Sequence, residues 1–337
     1  MLSQADVARE AGVSVMTVSR VINGAVNVRP ETRERVLKAI RELSYHPNAA
    51  ARALTRNRAS VLEVLIPHED YFYSSEYFSE LIFGVEKVVH DSDYNLIFNT
   101  YDPGTGAEYA ALYRQRKVDG LLIVAPAADD PTIAGLYEEG VPFVLVNGRT
   151  EALAVSFVDV DNISGAGLAA EYLYDLGHRR IGIITGNMLV VNARHRLKGY
   201  LDFLSSRGVS AREEWIYRGN WSEQSGYAGL TYFMGLKNAP SAIFCSNDLM
   251  AIGALRAAAD LGLAIPEAVS IVGYDDIRLS AFVNPRLTTI HQPTDLVGKT
   301  AAEMLLQLLG EEQGGTVGPR GVVLQPELVV RKSCEAP

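Results

Sequence analysis

Cysteine is scarce in this chain, and long apolar runs are missing. The 337 residues include two cysteines, Cys245 and Cys334, which lie far apart and have no partners near them in the sequence. That excludes a zinc cluster and suits a reducing compartment, so we interpret both as ordinary thiols. No apolar stretch approaches the roughly 20 residues that span a bilayer, and charged residues from Asp6 onward argue against a secretory signal. We therefore expect a cytoplasmic protein with no membrane segment and no bound metal.

Basic residues are outnumbered by acidic residues over the whole chain, but they are concentrated in its N-terminal part. The net charge is -9. Residues 1–60 contain ten basic and five acidic side chains, and the remainder contains 21 basic and 35 acidic ones, so the two parts carry +5 and -14. A basic module on an acidic body is typical of a nucleic-acid-binding segment joined to a domain with another task.

The basic segment carries the pattern of a helix, a tight turn and a second helix. Its markers are a cap at each helix start, a glycine at the turn and an Asn-Gly stop: Ser3, Gly12, Ser14 and Asn23-Gly24. Asp6, three residues after Ser3, nearly completes a capping box. A third helix begins near Pro30, and its apolar side chains are expected to cover the first two helices: Val36, Leu37, Ile40 and Leu43. The spacing is that of a DNA-binding helix-turn-helix.

Residues 6–24 resemble the headpiece of the LacI/GalR transcription regulators, and residues 43–54 resemble the hinge segment of that family. The resemblance extends over nearly the whole chain. Gln4 departs from it, because the family has an apolar residue there. The resemblance implies a sequence-specific transcriptional repressor that binds a pseudo-palindromic operator as a homodimer. It also implies three parts: a helix-turn-helix headpiece at 1–46, a hinge helix and linker at 47–60, and an effector-binding and dimerisation domain at 61–337.

The second helix is expected to place its N-terminal end in the major groove. Val15 and Met16 occupy the two positions that the family uses for base readout, where they can contact a thymine methyl group. Arg20, one turn further, can pair with a guanine. The alternative for Val15 and Met16 is burial in the headpiece core. The full set of expected DNA contacts is Ser14, Val15, Met16, Thr17, Ser19, Arg20, Asn23, Ala51, Leu54 and Thr55.

Residues 48–56 form a short alanine-rich segment between the two parts. Isolated helices of fewer than about 12–15 residues are marginal in water, so we expect this segment to be disordered without DNA and helical on DNA. The resemblance implies paired hinge helices, with Leu54 inserted into the minor groove to kink a base step. The alternative is a plain linker.

From residue 61 onward, candidate strands alternate with candidate helices. The strands are Val61–Pro67, Asn95–Thr100, Gly120–Pro126, Pro142–Asn147, Ser156–Asp161, Arg180–Gly186, Glu214–Gly219, Ala242–Asn247, Ser270–Tyr274, Thr288–His291 and Gly321–Arg331. The helical stretches include Tyr77–Asp91, Gly165–Leu176, Ala193–Arg207, Ser222–Leu236, Leu249–Leu261 and Asp295–Leu309. Several strands are continuous apolar runs, which is typical of parallel strands covered on both faces. The alternation predicts a doubly wound α/β fold with parallel sheets in two lobes.

This pattern resembles the periplasmic sugar-binding protein fold, which the LacI/GalR family shares. The resemblance implies that the chain crosses between the lobes near Asp161, His291 and Arg320. Each lobe is then discontinuous, with these approximate ranges: lobe 1, 61–161 and 292–320; lobe 2, 162–291 and 321–333. No heptad repeat follows the last strand, so we do not expect a tetramer built on a C-terminal coiled coil.

Catalytic motifs are weak or missing. Residues 165–170 match a loose dinucleotide fingerprint, but no acidic residue ends the next strand to hold a ribose. The sequence has no GxSxG, P-loop or HExxH pattern, and His68, His195 and His291 have no nucleophile beside them. His178, just before a strand, is interpreted as structural. We therefore expect no enzyme activity and no cofactor.

Polar and aromatic side chains at the carboxyl ends of the strands predict a ligand cleft between the lobes. Arg196 lies in the segment 193–200, which matches the family signature with its ligand-clamping arginine. The expected effector contacts are Tyr77, Phe78, Asn147, Asn192, Arg196, Trp221, Asn247 and Asp275. Single members have plainer alternatives: Tyr77 can belong to the core, and the neighbouring Asp248 can cap a helix.

The chemistry of this set favours a sugar or a sugar derivative. Trp221 can stack on the C–H face of a sugar ring, and arginine, asparagine and aspartate side chains offer donors and acceptors to hydroxyl pairs. A base-binding member of the family has a charged contact where this chain has Val190, which weakens a purine interpretation. A nucleoside effector, a phosphoprotein partner that docks on lobe 1 and a non-regulatory sugar-binding protein stay open as alternatives.

The expected mechanism is allosteric repression. Effector binding between the lobes changes their relative angle and the separation of the hinges, which alters operator affinity. We expect induction, although relatives of both signs exist.

Overall fold

The computed structural model describes residues 2–22, 25, 27–45, 58–68, 76–102, 105–150, 152–311 and 318–337. The chain divides into two units, Met1–Ala59 and Ser60–Pro337. Within the described ranges, no helix has both the length and the apolar character needed to cross a membrane.

The first unit contains three helices, α1 (Gln4–Ala11), α2 (Val15–Ile22) and α3 (Pro30–Glu42). Ser3 donates from its backbone nitrogen and its hydroxyl to the Asp6 carboxylate, at 2.9 and 2.7 Å. The turn after α1 places Gly12 at φ +61°, a conformation that favours glycine. Ser14 Oγ accepts a hydrogen bond from the Thr17 backbone nitrogen at 3.1 Å, as expected of a cap.

The core of the first unit uses one stripe from each helix. Its buried side chains are Val7, Ala8, Ala11, Val18, Val21, Val36, Ala39 and Tyr45. The expectation that Leu37 covers the first two helices is wrong, because Leu37 is 40 % exposed. One residue further along a helix turns the side chain by about 100°, so the stripe that contains Val36 excludes Leu37.

The second unit alternates strands and helices. Its strands are β1 (Val61–Pro67), β2 (Asn95–Tyr101), β3 (Gly120–Val124), β4 (Phe143–Val146), β5 (Ser156–Val160), β6 (Ile181–Thr185), β7 (Ile216–Arg218), β8 (Ala242–Cys245), β9 (Ser270–Val272), β10 (Thr289–His291), β11 (Gly321–Leu324) and β12 (Glu327–Val329). Its helices are α4 (Glu76–His90), α5 (Gly106–Arg114), α6 (Pro131–Glu138), α7 (Asn162–Asp175), α8 (Val191–Ser206), α9 (Glu223–Met234), α10 (Asp248–Asp260) and α11 (Thr294–Glu311). Short 3-10 helices cover Glu213–Trp215 and Arg278–Ala281.

The strands form two parallel sheets, each covered by helices on both faces. Lobe 1 has six strands in the order β11-β5-β4-β3-β1-β2, and lobe 2 has four in the order β7-β6-β8-β9. In lobe 1, α4 and α11 cover one face, and α5 and α6 cover the other. In lobe 2, the pairs are α9 with α10, and α7 with α8. This is the doubly wound arrangement that the sequence predicts.

The third crossing between the lobes lies later than the sequence suggests. The family resemblance places it near Arg320, with residues 321–333 in lobe 2. Instead, β11 pairs in parallel with β5 at the edge of the lobe 1 sheet, and β12 pairs antiparallel with β10. Pro326, which has no backbone N–H to donate, stands between the two strands. The single predicted strand is therefore two strands, and the crossing falls after Leu324.

Candidate functional site

The start of α2 presents apolar side chains on the surface. Val15 is 45 % exposed and Met16 is 66 % exposed. Their burial in the headpiece core, the alternative interpretation, is therefore wrong. Arg20, in the last turn of the same helix, is exposed as well. The helix thus offers two apolar groups and one cation that a DNA groove can accept.

Other expected DNA contacts have different positions. Ser14 is exposed, and its hydroxyl lies 2.9 Å from that of the half-buried Thr17. Ser19 is also half-buried. The remaining four candidates, Asn23, Ala51, Leu54 and Thr55, lie outside the described residues. The last three belong to the hinge segment 48–56, which also lies outside them.

Arg196 is the centre of a buried polar cluster in lobe 2. It lies on α8 with 3 % of its surface exposed. Its Nε donates to Asn162 Oδ1 at 2.8 Å, and its Nη1 donates to the Ser246 carbonyl oxygen. The guanidinium carbon lies 3.6 Å from the ring centre of Tyr274 and 5.4 Å from that of Trp221. These contacts fix the orientation of the guanidinium group between two aromatic rings.

Asp275 completes an ion pair with this arginine. Its Oδ1 lies 3.4 Å from Arg196 Nη1 and accepts a hydrogen bond from Gln292 Nε2 at 2.7 Å. Burial raises the pKa of Asp275 to about 7, although Arg196 and Gln292 act in the opposite direction. The backbone at Asp275 has φ +116°, which non-glycine residues rarely adopt. The carboxyl group is therefore held inside the lobe, close to its protonation midpoint at neutral pH.

The indole ring of Trp221 packs against Gly186, and Asn247 donates a hydrogen bond to the Trp221 backbone. A Cβ at Gly186 would lie 2.2 Å from the indole ring, so only glycine allows this approach. Asn247 Nδ2 donates to the Trp221 carbonyl oxygen at 3.0 Å, while Asn247 Oδ1 accepts from the Met250 nitrogen at 2.9 Å. Asn247 is thus the cap of α10 and a support for Trp221.

Asp248 is not the cap of this helix, contrary to the alternative above. Its carboxylate is fully buried and accepts hydrogen bonds from the Ile277 nitrogen and the Thr289 hydroxyl, at 2.9 and 2.5 Å. Burial raises the pKa of Asp248 well above its usual value, and the charge of Asp275 adds to this effect.

The structure joins four of the eight expected effector contacts directly: Arg196, Trp221, Asn247 and Asp275. Asn192 lies one turn before Arg196 on α8 and is 7 % exposed. The other three candidates belong to lobe 1. Asn147 follows β4 and is buried, whereas Tyr77 and Phe78 lie in the first turn of α4 and are half-buried. Phe78 also packs against the lobe 1 core.

Hydrogen bonds from backbone and side-chain groups join the two lobes. The Ala128 nitrogen donates to the Leu189 carbonyl oxygen at 2.9 Å, beside a short bridge between Ala127 and Val190. Elsewhere, the Leu279 nitrogen donates to the Glu76 carboxylate at 3.1 Å, which brings the start of α4 against lobe 2. Tyr77 and Phe78 directly follow Glu76 in the chain and therefore lie next to this interlobe contact.

Four residues whose side chains belong to the polar cluster are absent from the predicted set: Asp159, Asn162, Tyr274 and Gln292. Asp159 Oδ1 accepts from Asn162 Nδ2 at 3.3 Å and so continues the Arg196 network into lobe 1. Gln292 directly follows β10, a position that places it at a crossing between the lobes. Its place after a strand end is the one sequence signal that could have indicated it.

The rejected catalytic candidates have structural contacts. His178 Nδ1 lies 2.8 Å from the Ser241 hydroxyl, and Nε2 lies 3.0 Å from the Glu335 carbonyl oxygen. The glycines of the loose dinucleotide fingerprint lie inside α7, where Gly165 allows Tyr274 to approach. No group of three or more acidic, histidine or cysteine side chains forms a metal site in the described part of the chain.

Comparisons with known proteins agree with this architecture. The model of the bacterial regulatory proteins of the lacI family matches residues 5–48, and that of the periplasmic binding protein-like domain matches residues 170–334. A relative named HTH-type transcriptional repressor PurR, from Klebsiella pneumoniae (strain 342), is 35 % identical over 332 residues, 97 % of this chain and 95 % of the relative. PurR from Yersinia pestis (strain Pestoides F) is 36 % identical over 335 residues, with the same coverage.

Two solved structures extend the comparison. The lac repressor dimer bound to operator and the anti-inducer ONPF has a TM-score of 0.87 and 30 % identity, and the match covers 99 % of both chains. The complex of the transcriptional regulator CelR with cellobiose has a TM-score of 0.76 and 32 % identity, covering 99 % of this chain and 100 % of the other. The relatives are regulators rather than enzymes. The chain belongs to the LacI family, and it is a DNA-binding transcriptional repressor.

Proposed function

We propose that this repressor changes its operator affinity when a sugar or sugar derivative binds between the two lobes. The observation that carries this proposal is a set of buried polar atoms with no hydrogen-bond partner among the described residues. They are both amide atoms of Asn147, Oδ1 of Asn192 and Nε1 of Trp221. Each such atom costs about 1–3 kcal/mol when it stays unpaired. A ligand with several hydroxyl groups can donate and accept, and so can satisfy this mixed set.

The shape of the cluster supports the same class of ligand. Trp221 is an aromatic side chain of the kind that packs on the C–H side of a sugar ring. Arg196 supplies a fixed donor beside it, and Asp275 can accept or donate according to its protonation. The regulator CelR, whose complex with cellobiose is a structural neighbour, is consistent with a carbohydrate.

A purine base is the second candidate. The relatives named PurR cover nearly the whole chain at 35–36 % identity, and their name favours a purine ligand. Val190, which caps α8 without a polar side chain, weighs against it because a base-binding member of the family carries a charged contact there.

The DNA side of the proposal uses the exposed face of α2. Val15 and Met16 contact base edges by their apolar side chains, and Arg20 pairs with a guanine. A homodimer places two such helices on a pseudo-palindromic operator. The effector acts because its affinity differs between two lobe arrangements, with a coupling of about 1–3 kcal/mol. We expect the effector to weaken operator binding.

Intrinsic fluorescence tests the effector class, because the chain has two tryptophans, Trp215 and Trp221. In a Trp215→Phe background, the emission reports on Trp221. We expect saturable changes with one member of a panel of mono- and disaccharides and none with adenine or guanine. Arg196→Ala should abolish the response, and Lys198→Ala, an exposed change on the same helix, should preserve it. A response to purine bases alone would replace the sugar with the second candidate.

A further inference from the structure

A cavity of about 530 Å³ lies between the lobes, and no member of the predicted effector set lines it. Lobe 1 contributes the segments after β3 and β4 and the start of α6, and lobe 2 contributes the first turns of α8. Its volume lies within the roughly 300–1,000 Å³ of small-molecule pockets. An occupant would contact both lobes at once.

The floor of the cavity is apolar. It is formed by four aliphatic side chains that are buried or half-buried: Ile133, Leu145, Leu153 and Val191. Val191 is the first residue of α8, and the preceding Val190 brings no side-chain acceptor to this helix end. The cavity therefore suits an apolar body, with the positive end of a helix dipole beside it.

The acidic side chains of the lining already have partners. Asp130 Oδ1 accepts from the Thr132 nitrogen at 2.8 Å and caps α6. Asp129 lies 4.0 Å from Arg194 Nη1 across the lobe boundary, with 93 % of its side chain exposed. Both aspartates line the cavity, so an anion is favoured only beside the arginine side chains of the lining.

Arg149 is different, because its guanidinium group has no hydrogen bond to any described residue. Its nearest carboxylate is that of the buried Asp159, whose Oδ2 lies 3.9 Å from Arg149 Nε. Only about a third of the Arg149 side chain is exposed. A half-buried guanidinium group with five donors and one loose ion pair is suited to a planar anion.

We propose that this cavity is a second small-molecule site, which binds a compound with an apolar body and a single carboxylate group held by Arg149. Arg194 and His195 complete the rim. Arg149 faces Asp159, Asp159 accepts from Asn162, and Asn162 accepts from Arg196. An anion on Arg149 thus acts on the polar network that joins the lobes. The proposal does not depend on the class of effector at Arg196.

Calorimetric titration of the full chain with sodium benzoate and sodium hexanoate tests the site. We expect saturable binding of at least one of them, and benzyl alcohol, which lacks the charge, should bind at least tenfold more weakly. Arg149→Gln should weaken carboxylate binding at least tenfold. Ala134→Trp, which fills the cavity from α6, should abolish it. Arg256→Gln, a change at an exposed ion pair on α10, is the matched control and should have no effect.

Three outcomes would overturn the proposal. The first is that neither carboxylate binds the wild-type chain in a saturable way. The second is equal affinity for benzoate and benzyl alcohol, which would remove the role of the anion. The third is unchanged carboxylate affinity in both Arg149→Gln and Ala134→Trp, which would place binding elsewhere. Because the two substitutions act by charge and by volume, misfolding of one variant leaves the other decisive.

Discussion

Asn247 holds Trp221 in place through one half of its amide and caps α10 through the other half. The amide nitrogen donates to the Trp221 carbonyl oxygen at 3.0 Å, and the amide oxygen accepts from the Met250 nitrogen at 2.9 Å. Trp221 itself has φ +73°, a conformation that tryptophan rarely adopts and that needs support from its surroundings. The residue expected to contact the effector therefore also builds the site.

Two substitutions separate these roles of Asn247. Asn247→Ala removes the cap and the support, so it should lower the free energy of unfolding by about 1–2 kcal/mol and shift the Trp221 emission. Asn247→Ser keeps a capping oxygen but removes the amide nitrogen that donates to the Trp221 carbonyl oxygen, so it should shift the emission with a smaller loss of stability. Urea unfolding and emission spectra of the Trp215→Phe background measure both effects. An unchanged emission in both variants would exclude the supporting role.

The raised pKa of Asp275 predicts a dependence of stability on pH. Burial raises this pKa from its usual 3.8 to about 7. Between those values the folded chain binds more protons than the unfolded chain, so the contribution of Asp275 to stability falls as pH rises. Asp275→Asn should make the slope of unfolding free energy against pH less negative between pH 5 and 7. The change has an upper limit of about 1.4 kcal/mol per pH unit, the value for one proton.

Asp276 is the matched control for this experiment. Burial acts to raise its pKa, but hydrogen bonds from His291 and Arg331 outweigh that effect and hold the pKa below its usual value. The stabilising contribution of its charged form is complete above the unfolded pKa and is lost only at lower pH. Because Asp276 also raises the pKa of His291, the comparison is made in a His291→Gln background, where Asp276→Asn should leave the slope between pH 5 and 7 unchanged. Identical slopes for wild type and Asp275→Asn would contradict the assignment.

The sequence predicts the strands well because their burial is local. Parallel strands covered on both faces are mostly apolar. The run Val61–Pro67, in which Glu63 is the one charged residue, has the same bounds in the sequence pattern and in the structure. The final segment is different. Whether residues 321–324 join one lobe or the other depends on pairing with β5, which is distant in the chain, and no local pattern encodes that choice.

In the candidate site too, some residues can be inferred from local sequence, whereas the roles of others depend on contacts between residues that are distant in the chain. Arg196 and Trp221 can be inferred from motif and residue type. The role of Asn247 as a support cannot, because it arises from a carbonyl group 26 residues earlier. Asp159 lies within an apolar strand, and its link to Arg196 through Asn162 exists only once both lobes are folded.

Arg20→Ala should reduce the discrimination between operator and non-specific DNA. The loss of one guanine contact corresponds to about 1–3 kcal/mol, or roughly 5- to 150-fold in the affinity ratio. Fluorescence anisotropy at one fixed salt concentration, with an operator isolated by in vitro selection, measures it. Arg41→Ala, which removes an exposed arginine from the last turn of α3, is the control. If both variants lose operator and non-specific affinity in equal proportion, Arg20 contributes charge rather than base readout.

Gly186→Ala tests the packing of Trp221 against this glycine, since the added Cβ would lie 2.2 Å from the indole ring. Overpacking of this kind costs about 1–3 kcal/mol, so we expect a lower free energy of unfolding, a shifted Trp221 emission and a weakened effector response. Gly167→Ala is the control, because nothing lies within 4 Å of its Cβ position inside α7. That change should stabilise the chain by about 0.5–1 kcal/mol, as alanine replaces glycine within a helix. Wild-type stability and emission in Gly186→Ala would mean that the ring does not rest on this glycine.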